Sequence, residues 1–443
     1  MSTQFHLFNY GSYPEVPHAD TLGDKTVYVD LPNRYGDPVK SHWYLDSYFD
    51  SLEFGEKLGF DGILTTTQFG GPVGLTPTAM LGAAYLAGRT TRIRIGAIGP
   101  VLGAYSSPMR AAEEIALLDQ LTNGRLIIGL PMGHGQNHHA MGVINPTYTR
   151  ERYWEAHAVV RKAFDEEGPF HWQGKHFQIP NANLWPRPVQ KGGPEVWIPG
   201  AGSRITLEKC AEFGYTWQAL FSPRKALMKQ VSVFHEEAAK HGYKPKPDQI
   251  AVVLFIHVAE SDAQAHKEAD AHLMSLMQNM NRAQLHDAFA PGHFSPETVR
   301  GFMTGGGYRS KDISKMTVED VAEEGWGIIG SPATVREKIE EIIADLGAGK
   351  IIHVADFGAM PNWMMRKSLT LMAEQVIPHF RDKGAKPIWA IEEPVAPQTH
   401  AEYGAYYEEP EPEAVPQARL HDGTGVVDVR TAHVDDLRIQ LRP

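Results

Sequence analysis

Two patterns of apolar residues alternate along most of the chain. Short apolar runs predict strands that are buried on both faces, whereas segments with an apolar residue every three or four positions predict amphipathic helices. The predicted strands cover residues 5–9, 63–67, 92–101, 125–130, 196–199, 216–221, 250–258 and 351–357. The predicted helices cover residues 43–58, 77–86, 108–121, 148–164, 204–213, 225–241, 263–280, 317–322, 332–345 and 362–379.

The stretch LDQLTNGRLIIGLPMGHG, which begins at Leu118, contains one complete repeat of this pattern. Leu117, Leu118 and Leu121 end the apolar face of a predicted helix. An Asn-Gly pair at 123–124 stops that helix, because both residue types tolerate positive φ. The run 125–130 predicts a buried strand, and a glycine-rich loop follows it.

Eight strands that alternate with helices predict an α/β protein with a (β/α)8 TIM barrel. An open, doubly wound sheet is the competing architecture. It would need a G-x-G-x-x-G fingerprint directly after the first strand, and the sequence has none there.

Two segments interrupt or extend the predicted barrel. Residues 281–314 have no clear period and predict an insertion, and residues 387–443 predict an acidic, Pro-rich C-terminal extension. The barrel domain is therefore predicted to cover residues 1–386. The end of the extension regains apolar residues, which fit either an arm on a neighbouring subunit or a loosely docked tail.

Composition narrows the possible partners. The 443 residues include 42 basic and 53 acidic side chains, a net charge of −11, which argues against nucleic-acid or anionic-membrane binding. One cysteine excludes a disulfide framework. The N-terminus has no signal-peptide pattern and no apolar run of membrane-spanning length occurs, so we expect a cytoplasmic protein.

The residues that follow the predicted strands are mostly neutral and small. In a barrel these positions form the site. They include neither a carboxylate pair suited to glycoside hydrolysis nor a His–Asp cluster suited to a metal. The adjacent histidines of HGQNHH, residues 134–139, lack a nearby carboxylate, so no metal is expected there. A neutral, glycine-lined mouth suits a planar cofactor that brings its own reactivity.

Two features of this mouth each have two interpretations. PGAGS, residues 199–203, precedes a predicted helix, where Gly202 and Ser203 fit either a phosphate site or an ordinary strand-to-helix turn. His257 shares a strand face with Val253 and Phe255. It fits either a general base or hydrogen-bond donor, or a buried histidine that is merely hydrogen-bonded.

Five stretches carry a resemblance to a known family. They are EKLGFDGI, LDQLTNGRLIIGLPMG, RERYWEA, WPRPVQKGGPEVWIPGAGS and GSPATVREKIEEI. Together, and in this order, they make the chain similar to the bacterial luciferase-like flavin monooxygenases from about Phe5 to His379. The second stretch is the most specific, with its leucine-aspartate, polar turn, glycine-arginine and strand ending in glycine.

The resemblance implies a two-component FMN-dependent monooxygenase. A separate NAD(P)H-dependent reductase would deliver reduced FMN, and molecular oxygen would oxygenate a small organic substrate. Such a site must exclude water, and the segments 11–40 and 281–314 are long enough to cover the mouth as lids. Family members are commonly dimers, so a homodimer or higher homo-oligomer is expected.

The resemblance also implies roles for individual residues. Tyr153, after Arg152, and Ser203 with Gly202 resemble the phosphate contacts, and His257 corresponds to a histidine that some members use on the seventh strand. The residues implied for cofactor binding are Gly133, Asn137, His138, Arg152, Tyr153, Gly202 and Ser203. The Asn-Gly turn and Arg125 are expected to hold the bottom of the barrel, away from the chemistry.

Two departures from the family pattern affect the expected substrate. After the second strand, TTTQFGG replaces a Glu-His-His stretch, so Thr67 and Gln68 are the expected catalytic hydrogen-bond donors there. Phe255 replaces an arginine of the sulfonate-oxidising branch, which favours an apolar or aromatic substrate. The aromatic residues expected near the rim are Phe69, Tyr105, Phe221 and Phe357.

Two other functions remain open on the same barrel. One is a deazaflavin-dependent oxidoreductase, which transfers hydride. The other is a flavin-binding protein without turnover, which the missing Glu-His-His stretch keeps in consideration.

Overall fold

The computed structural model describes residues 3–17, 31–133, 137–138, 141, 145–281, 317–358 and 360–381. These residues belong to one compact unit, residues 1–392. The predicted C-terminal extension lies outside the described residues, as do most of the predicted insertion and residues 18–30 of the first long loop. The domain boundary at 386 therefore stays a prediction.

The described residues form eleven strands and ten α-helices. The strands are β1 Gln4–Phe8, β2 Gly62–Thr66, β3 Arg94–Ile98, β4 Leu126–Gly129, β5 Phe170–Gln173, β6 Gln178–Ala182, β7 Glu195–Gly200, β8 Thr216–Ala219, β9 Ile250–Val258, β10 Gly327–Gly330 and β11 Lys350–Val354. The helices are α1 Pro38–Lys57, α2 Ala79–Ala87, α3 Pro108–Leu121, α4 Thr149–Asp165, α5 Arg204–Phe213, α6 Arg224–Lys240, α7 Asp262–Asn281, α8 Val318–Glu324, α9 Pro332–Leu346 and α10 Asn362–Leu371. Within the described parts of the chain, no helix has the length and apolarity needed to cross a membrane.

Eight of these strands close into the predicted parallel barrel. Their order is β1, β2, β3, β4, β7, β8, β9 and β11, and β11 returns to pair with β1. All eight strands coincide with those predicted from the apolar runs, so the (β/α)8 barrel is confirmed. The nine residues of β9 are all buried, as expected for a strand covered on both faces.

Strand β9 changes partners along its length on one side. Its first three residues pair with β8, whereas Phe255–Val258 pair with β10. The prediction missed β10, and it missed the antiparallel hairpin of β5 and β6. The four-residue GIIG run of β10 is too short to stand out from its helical flanks, and half-exposed β5 and β6 lack a continuous apolar run.

Helix α1 corrects two details of the prediction. Residues 38–40 belong to this helix rather than to the preceding loop, because the Asp37 side chain accepts hydrogen bonds from the backbone N–H groups of Val39 and Lys40. Trp43 was predicted to lie on the buried face but is 61% exposed.

On α3, Leu118 is buried as predicted, whereas Leu117 and Leu121 are about half exposed.

The amino ends of the barrel strands carry a network of charged side chains. The Lys350 ammonium is almost fully buried and lies 2.8 Å from Glu195 Oε1, to which Trp197 Nε1 also donates. Arg94 pairs with the other carboxylate oxygen. Burial acts in the opposite direction, but Lys350 and Arg94 hold the pKa of Glu195 at about 2. This network closes the end of the barrel opposite the mouth.

The Asn-Gly turn at 123–124 and Arg125 stabilise the same end of the barrel, as predicted. Asn123 and Gly124 both have positive φ, at 50° and 74°. The Arg125 guanidinium donates to the carbonyl oxygens of Ile93, at 2.8 Å, and Thr90, at 3.0 Å. Arg125 thus ties the loop before β3 to the start of β4.

A buried carboxylate adds a second connection at the bottom. Asp119, fully buried at the end of α3, accepts hydrogen bonds from the backbone N–H of Gln190 and from its side-chain amide, at 2.8 and 2.7 Å. Two stretches that carry the family resemblance are therefore in direct contact at the base of the barrel.

Candidate active site

Four buried polar atoms on or beside the carboxyl ends of the barrel strands have no hydrogen-bond partner among the described residues. They are Asn9 Oδ1, Tyr48 Oη, Gln218 Oε1 and His257 Nδ1. Asn9 follows β1, Gln218 and His257 lie near the ends of β8 and β9, and Tyr48 packs beside the Gly11 backbone. Leaving such an atom unpaired costs about 1–3 kcal/mol. The Asn9 amide faces the surrounding helices, where it donates to Ser51 Oγ at 2.7 Å. A ligand in the mouth with polar edges would supply partners for Gln218 and His257, which share the inward strand face of Lys350.

Asp356, two residues after β11, connects the mouth to the loop after β1. Its Oδ2 accepts hydrogen bonds from the backbone N–H groups of Tyr10, at 2.8 Å, and Gly11, at 3.0 Å. Burial raises the pKa of this carboxyl to about 6, although the backbone donors work against the rise. The Asp356 charge in turn helps burial to raise the pKa of the Tyr48 hydroxyl.

Three aromatic rings form an apolar wall beside these polar atoms. Phe221 stacks on Phe255 with ring centroids 4.8 Å apart, and Phe255 meets Phe357 edge to face at 5.7 Å. Phe357 adopts a φ of 44°, which is rare for a bulky residue and typical of functional sites. Of the other rim aromatics, Phe69 is half-buried, and half-buried Tyr105 donates its hydroxyl to Glu114.

His257 belongs to a buried charged cluster. Its Nε2 lies 2.8 Å from Glu268 Oε2 on α7, and the ring centroid lies 6.1 Å from that of Phe357. Lys367 Nζ, on α10, and Gln264 Nε2 both donate to the other oxygen of Glu268, at 2.5 and 2.7 Å. Burial lowers the pKa of His257 despite the opposing effect of Glu268, so the ring is neutral at neutral pH.

Thr67 and Gln68 lie in the loop that follows β2. Thr67 Oγ1 accepts a hydrogen bond of 2.9 Å from the backbone N–H of Ala79, which places this side chain at the start of α2. The Gln68 backbone N–H donates to Thr76 O, and its half-buried side chain packs close to Gly74. The catalytic role of both residues stays a prediction.

The PGAGS segment has the local geometry of a helix N-terminus. Gly202 has a φ of 78°, and Ser203 is the N-cap of α5, with its Oγ 2.8 Å from Thr206 Oγ1. Since this turn follows β7, it lies on the mouth side of the barrel. The first N–H groups of α5 therefore offer a binding site for an anion.

Arg152 and Tyr153 have structural partners in this fold. The Tyr153 side chain is fully buried and its hydroxyl donates to Leu130 O at 2.7 Å. Arg152 donates to the carbonyl oxygens of Gly103, at 3.0 Å, and Tyr105, at 2.8 Å, and lies over the Phe177 ring. These contacts fix the turns after β3 and β4, and a direct phosphate contact by either residue stays a prediction.

The loop after β4 is described only in part. Gly133 has a φ of 87°, and a Cβ there would lie 2.9 Å from Val101 and 3.4 Å from His138 Nε2. Asn137 and His138 are both buried. The structure therefore brings these three predicted cofactor contacts together, while residues 134–136 lie outside the described residues.

The sequence analysis passed over Arg150, which lies in the first turn of α4. Its guanidinium is half-buried, burial lowers its pKa, and it forms no ion pair or hydrogen bond with the described residues. It lies next to Thr149, which packs against Gly103 in the turn after β3. The RER pattern indicated a positive charge at the start of a helix, but it did not indicate that this charge is half-buried.

The chain is similar in sequence to known proteins of one family. The model of the family described as luciferase-like monooxygenase matches residues 32–349. The 2,5-diketocamphane 1,2-monooxygenase 1 of Pseudomonas putida is 26% identical over 322 residues, which is 69% of this chain and 85% of that protein. The alkanal monooxygenase alpha chain of Photobacterium leiognathi is 24% identical over 361 residues, 79% of this chain and 97% of that one.

A solved structure extends the comparison to the fold. The oxygenating constituent of 3,6-diketocamphane monooxygenase from Pseudomonas putida, a type II Baeyer–Villiger enzyme in complex with FMN, has a TM-score of 0.63 at 19% identity. The match covers 85% of this chain and 99% of that one.

The closed parallel barrel makes this a TIM-barrel protein. The chain belongs to the luciferase-like monooxygenase family, since the family model matches well over half of it. It is accordingly an enzyme of the flavin-dependent monooxygenase class.

Proposed function

We propose that this enzyme is the oxygenase of a two-component system that uses reduced FMN and molecular oxygen to oxygenate a small apolar or aromatic substrate. The observation that carries the proposal is that Gln218 Oε1 and His257 Nδ1 are buried without a partner among the described residues, and that His257 lies next to the aromatic wall. This arrangement suits a ligand with a polar heterocyclic edge and an apolar substrate beside it. A separate NAD(P)H-dependent reductase would supply the reduced flavin in the cytoplasm.

Residues of the chain fit the parts of FMN. Gly202, Ser203 and the N–H groups of α5 would hold the phosphate, and Arg150 is a further cation at the same end of the barrel. The bound flavin supplies the oxygen-activating chemistry. Phe221, Phe255 and Phe357 would keep water away from the reacting atoms, as a reaction that solvent can divert requires.

The first test is binding of reduced FMN by the Ser203→Ala variant. Hydrogen bonds to a charged group contribute about 1.5–3 kcal/mol, so we expect roughly 10- to 100-fold weaker binding. Anaerobic titration with fluorescence detection measures the change. A similar loss is expected for Arg150→Met if its charge contacts the phosphate.

Ser331→Ala is the matched control for this experiment. Ser331 caps α9 with the same Ser-x-x-Thr pattern, and its Oγ lies 3.2 Å from Thr334 Oγ1. Its removal should cost comparable helix stability and leave FMN affinity unchanged. Equal affinity losses in both serine variants would assign the effect to folding and would contradict a phosphate site at α5.

A deazaflavin-dependent oxidoreductase is the second candidate. The F420-dependent secondary alcohol dehydrogenase solved with an F420–acetone adduct has a TM-score of 0.60 at 15% identity, covering 86% of this chain and all of that one. Parallel titrations with reduced FMN and reduced F420 separate the two. Oxygen uptake that depends on FMN and substrate supports the monooxygenase, whereas tight flavin binding without turnover indicates a non-catalytic binding protein.

We also propose that the enzyme is a homodimer that associates through α2 and α3. These neighbouring helices expose apolar residues spaced four apart, Leu81 and Tyr85 on α2 and Leu117 and Leu121 on α3, with exposures between 46 and 70%. Such a surface is typical of subunit interfaces.

The dimer proposal predicts that Leu117→Glu with Leu121→Glu produces a folded monomer. Two charges placed at the centre of an apolar interface would remain unpaired, which opposes association. Sedimentation velocity measures the mass, and Met228→Glu on α6, which is 43% exposed, serves as the control. A wild-type monomer, or an unchanged dimer in the double variant, would place the interface elsewhere or exclude it.

A further inference from the structure

Glu268 fixes which nitrogen of His257 carries the proton. Burial opposes ionisation, but hydrogen bonds from Gln264, Lys367 and His257 hold the pKa of Glu268 at about 2. At neutral pH this carboxylate can only accept hydrogen bonds. The hydrogen bond of 2.8 Å to Nε2 therefore requires a proton on Nε2, and neutral His257 has a lone pair on Nδ1.

The lone pair on Nδ1 is placed for use by a ligand. Nδ1 is buried and has no partner among the described residues. The His257 backbone lies at the mouth end of β9, and its ring is next to Phe357 in the aromatic wall. A buried acceptor beside an apolar surface would bind a proton donor on a substrate held there.

We propose that Glu268 and Lys367 are positioning residues that hold His257 with Nδ1 as the proton acceptor of the oxygenation reaction. This inference rests on the proposed function. It adds a residue pair on α7 and α10 that the resemblance did not imply. Gln264 and Lys367 orient the Glu268 carboxylate and keep it ionised. Glu268 in turn orients the His257 ring.

The proton transfer balances within this cluster. An X–H bond of the bound substrate breaks, its electron pair stays on the substrate, and the proton forms an N–H bond at Nδ1. His257 then carries a positive charge, which the Glu268 carboxylate stabilises at 2.8 Å. Once the product has departed, the proton passes from Nδ1 to solvent water, which restores the neutral ring.

The charged and titratable groups around His257 shift its pKa in opposite directions. Glu268 raises the pKa of His257, whereas Lys367 and His272 lower it, secondary to burial. Lys367 also pairs with Glu260 at the surface, 3.0 Å away. On β11, His353 Nε2 donates to Ile256 O at 2.8 Å. Burial lowers the pKa of His353, and His257 contributes to that lowering.

The experiment compares Glu268→Gln with Lys367→Met in the full-length chain. Removing the carboxylate should lower the pKa of His257, and removing the ammonium should raise it, each by about one pH unit. Histidine ¹⁵N NMR on the protein without cofactor measures the pKa and the tautomer, with His257→Gln used to assign the signal. We expect a proton on Nε2 in the wild type and a mixture of tautomers in Glu268→Gln.

Activity measurements then test the role in turnover. The acidic limb of the kcat profile should move down in Glu268→Gln and up in Lys367→Met, while KM for reduced FMN changes little. His257→Ala should lower kcat more than flavin affinity. Glu340→Gln, which removes the exposed pair of Glu340 with His379, is the matched control and should leave the profile unchanged.

Each outcome bears on a different statement. A proton on Nδ1 of wild-type His257, or shifts of the same sign in the two variants, overturns the positioning role whether or not the protein oxidises anything. NMR shifts as expected with an unmoved kcat profile overturn the role of Nδ1 in proton transfer and leave the monooxygenase proposal intact. Absence of flavin-dependent oxygen uptake contradicts the proposed function alone.

Discussion

Replacing Glu195 with alanine should destabilise the fold by about 3–5 kcal/mol, because it leaves the Lys350 ammonium buried without its carboxylate. Lys350 has 4% side-chain exposure and lies 2.8 Å from Glu195. Its other polar partners, Thr216 Oγ1 and Asp248 O, are uncharged. A loss of this size is a large fraction of the 5–15 kcal/mol that stabilises a typical domain, and urea unfolding followed by circular dichroism measures it.

Two further variants show whether the charge is the cause. Lys350→Met in the Glu195→Ala background removes the unpaired ammonium and should restore part of the lost stability. Glu212→Ala breaks the exposed pair with Lys209 and should cost less than about 1 kcal/mol. A Glu195→Ala loss no larger than that of Glu212→Ala would mean that water reaches Lys350 and that the network does not stabilise the barrel.

Acidification from pH 6.5 to 5 should destabilise the protein, well before most carboxylates titrate. Burial is the main cause that lowers the pKa of His6 and His157 to about 3 and that of His353 to about 4. In the unfolded chain these rings protonate near pH 6.5. The unfolded state therefore binds more protons below that pH, and each histidine removes about 1.4 kcal/mol of stability per pH unit.

One carboxyl acts against this trend. The pKa of Asp356 is raised to about 6, so below that pH the folded state binds a proton that the unfolded state does not yet hold. The stability that Asp356 gains on acidification offsets the loss caused by about one of the three histidines. Chemical unfolding at pH 7.5, 6.5, 5.5 and 5 gives the slope, which His157→Gln should reduce by one histidine's share. Stability that is constant or rises between pH 6.5 and 5 would contradict the neutral, buried state of these rings.

Most barrel strands were predictable because their residues are buried on both faces. Residues 250–258 read as one apolar run and form a fully buried strand, and the Asn-Gly pair at 123–124 gave the end of α3. Where side chains are half-exposed the signal was lost, as in the hairpin of β5 and β6. Trp43 shows the converse error, since an apolar residue at helical spacing can still face outward.

The site was less predictable because its contacts join distant parts of the chain. Sequence reasoning selected His257 but not its partners, since Lys367 and Glu268 are 99 residues apart and come together only through the packing of α7 and α10. The role of Asp356 was not predicted, because its hydrogen bonds with Tyr10 and Gly11 cross the barrel seam between β11 and β1. Arg152 and Tyr153 donate to backbone carbonyls of the turns after β3 and β4, contacts that the motif did not indicate.

The contacts of Arg125 with the loop before β3, and those of Asp119 with Gln190, have a consequence for engineering this enzyme. At the base of the barrel, Arg125 donates to a main-chain carbonyl and Asp119 accepts from a main-chain N–H. Neither contact involves a loop at the opposite end. Loops that follow the strands can therefore be grafted from a relative with another specificity while the base is left untouched. The two family-like stretches that meet at the base thus stabilise the barrel without constraining the sequence of the loops at the other end.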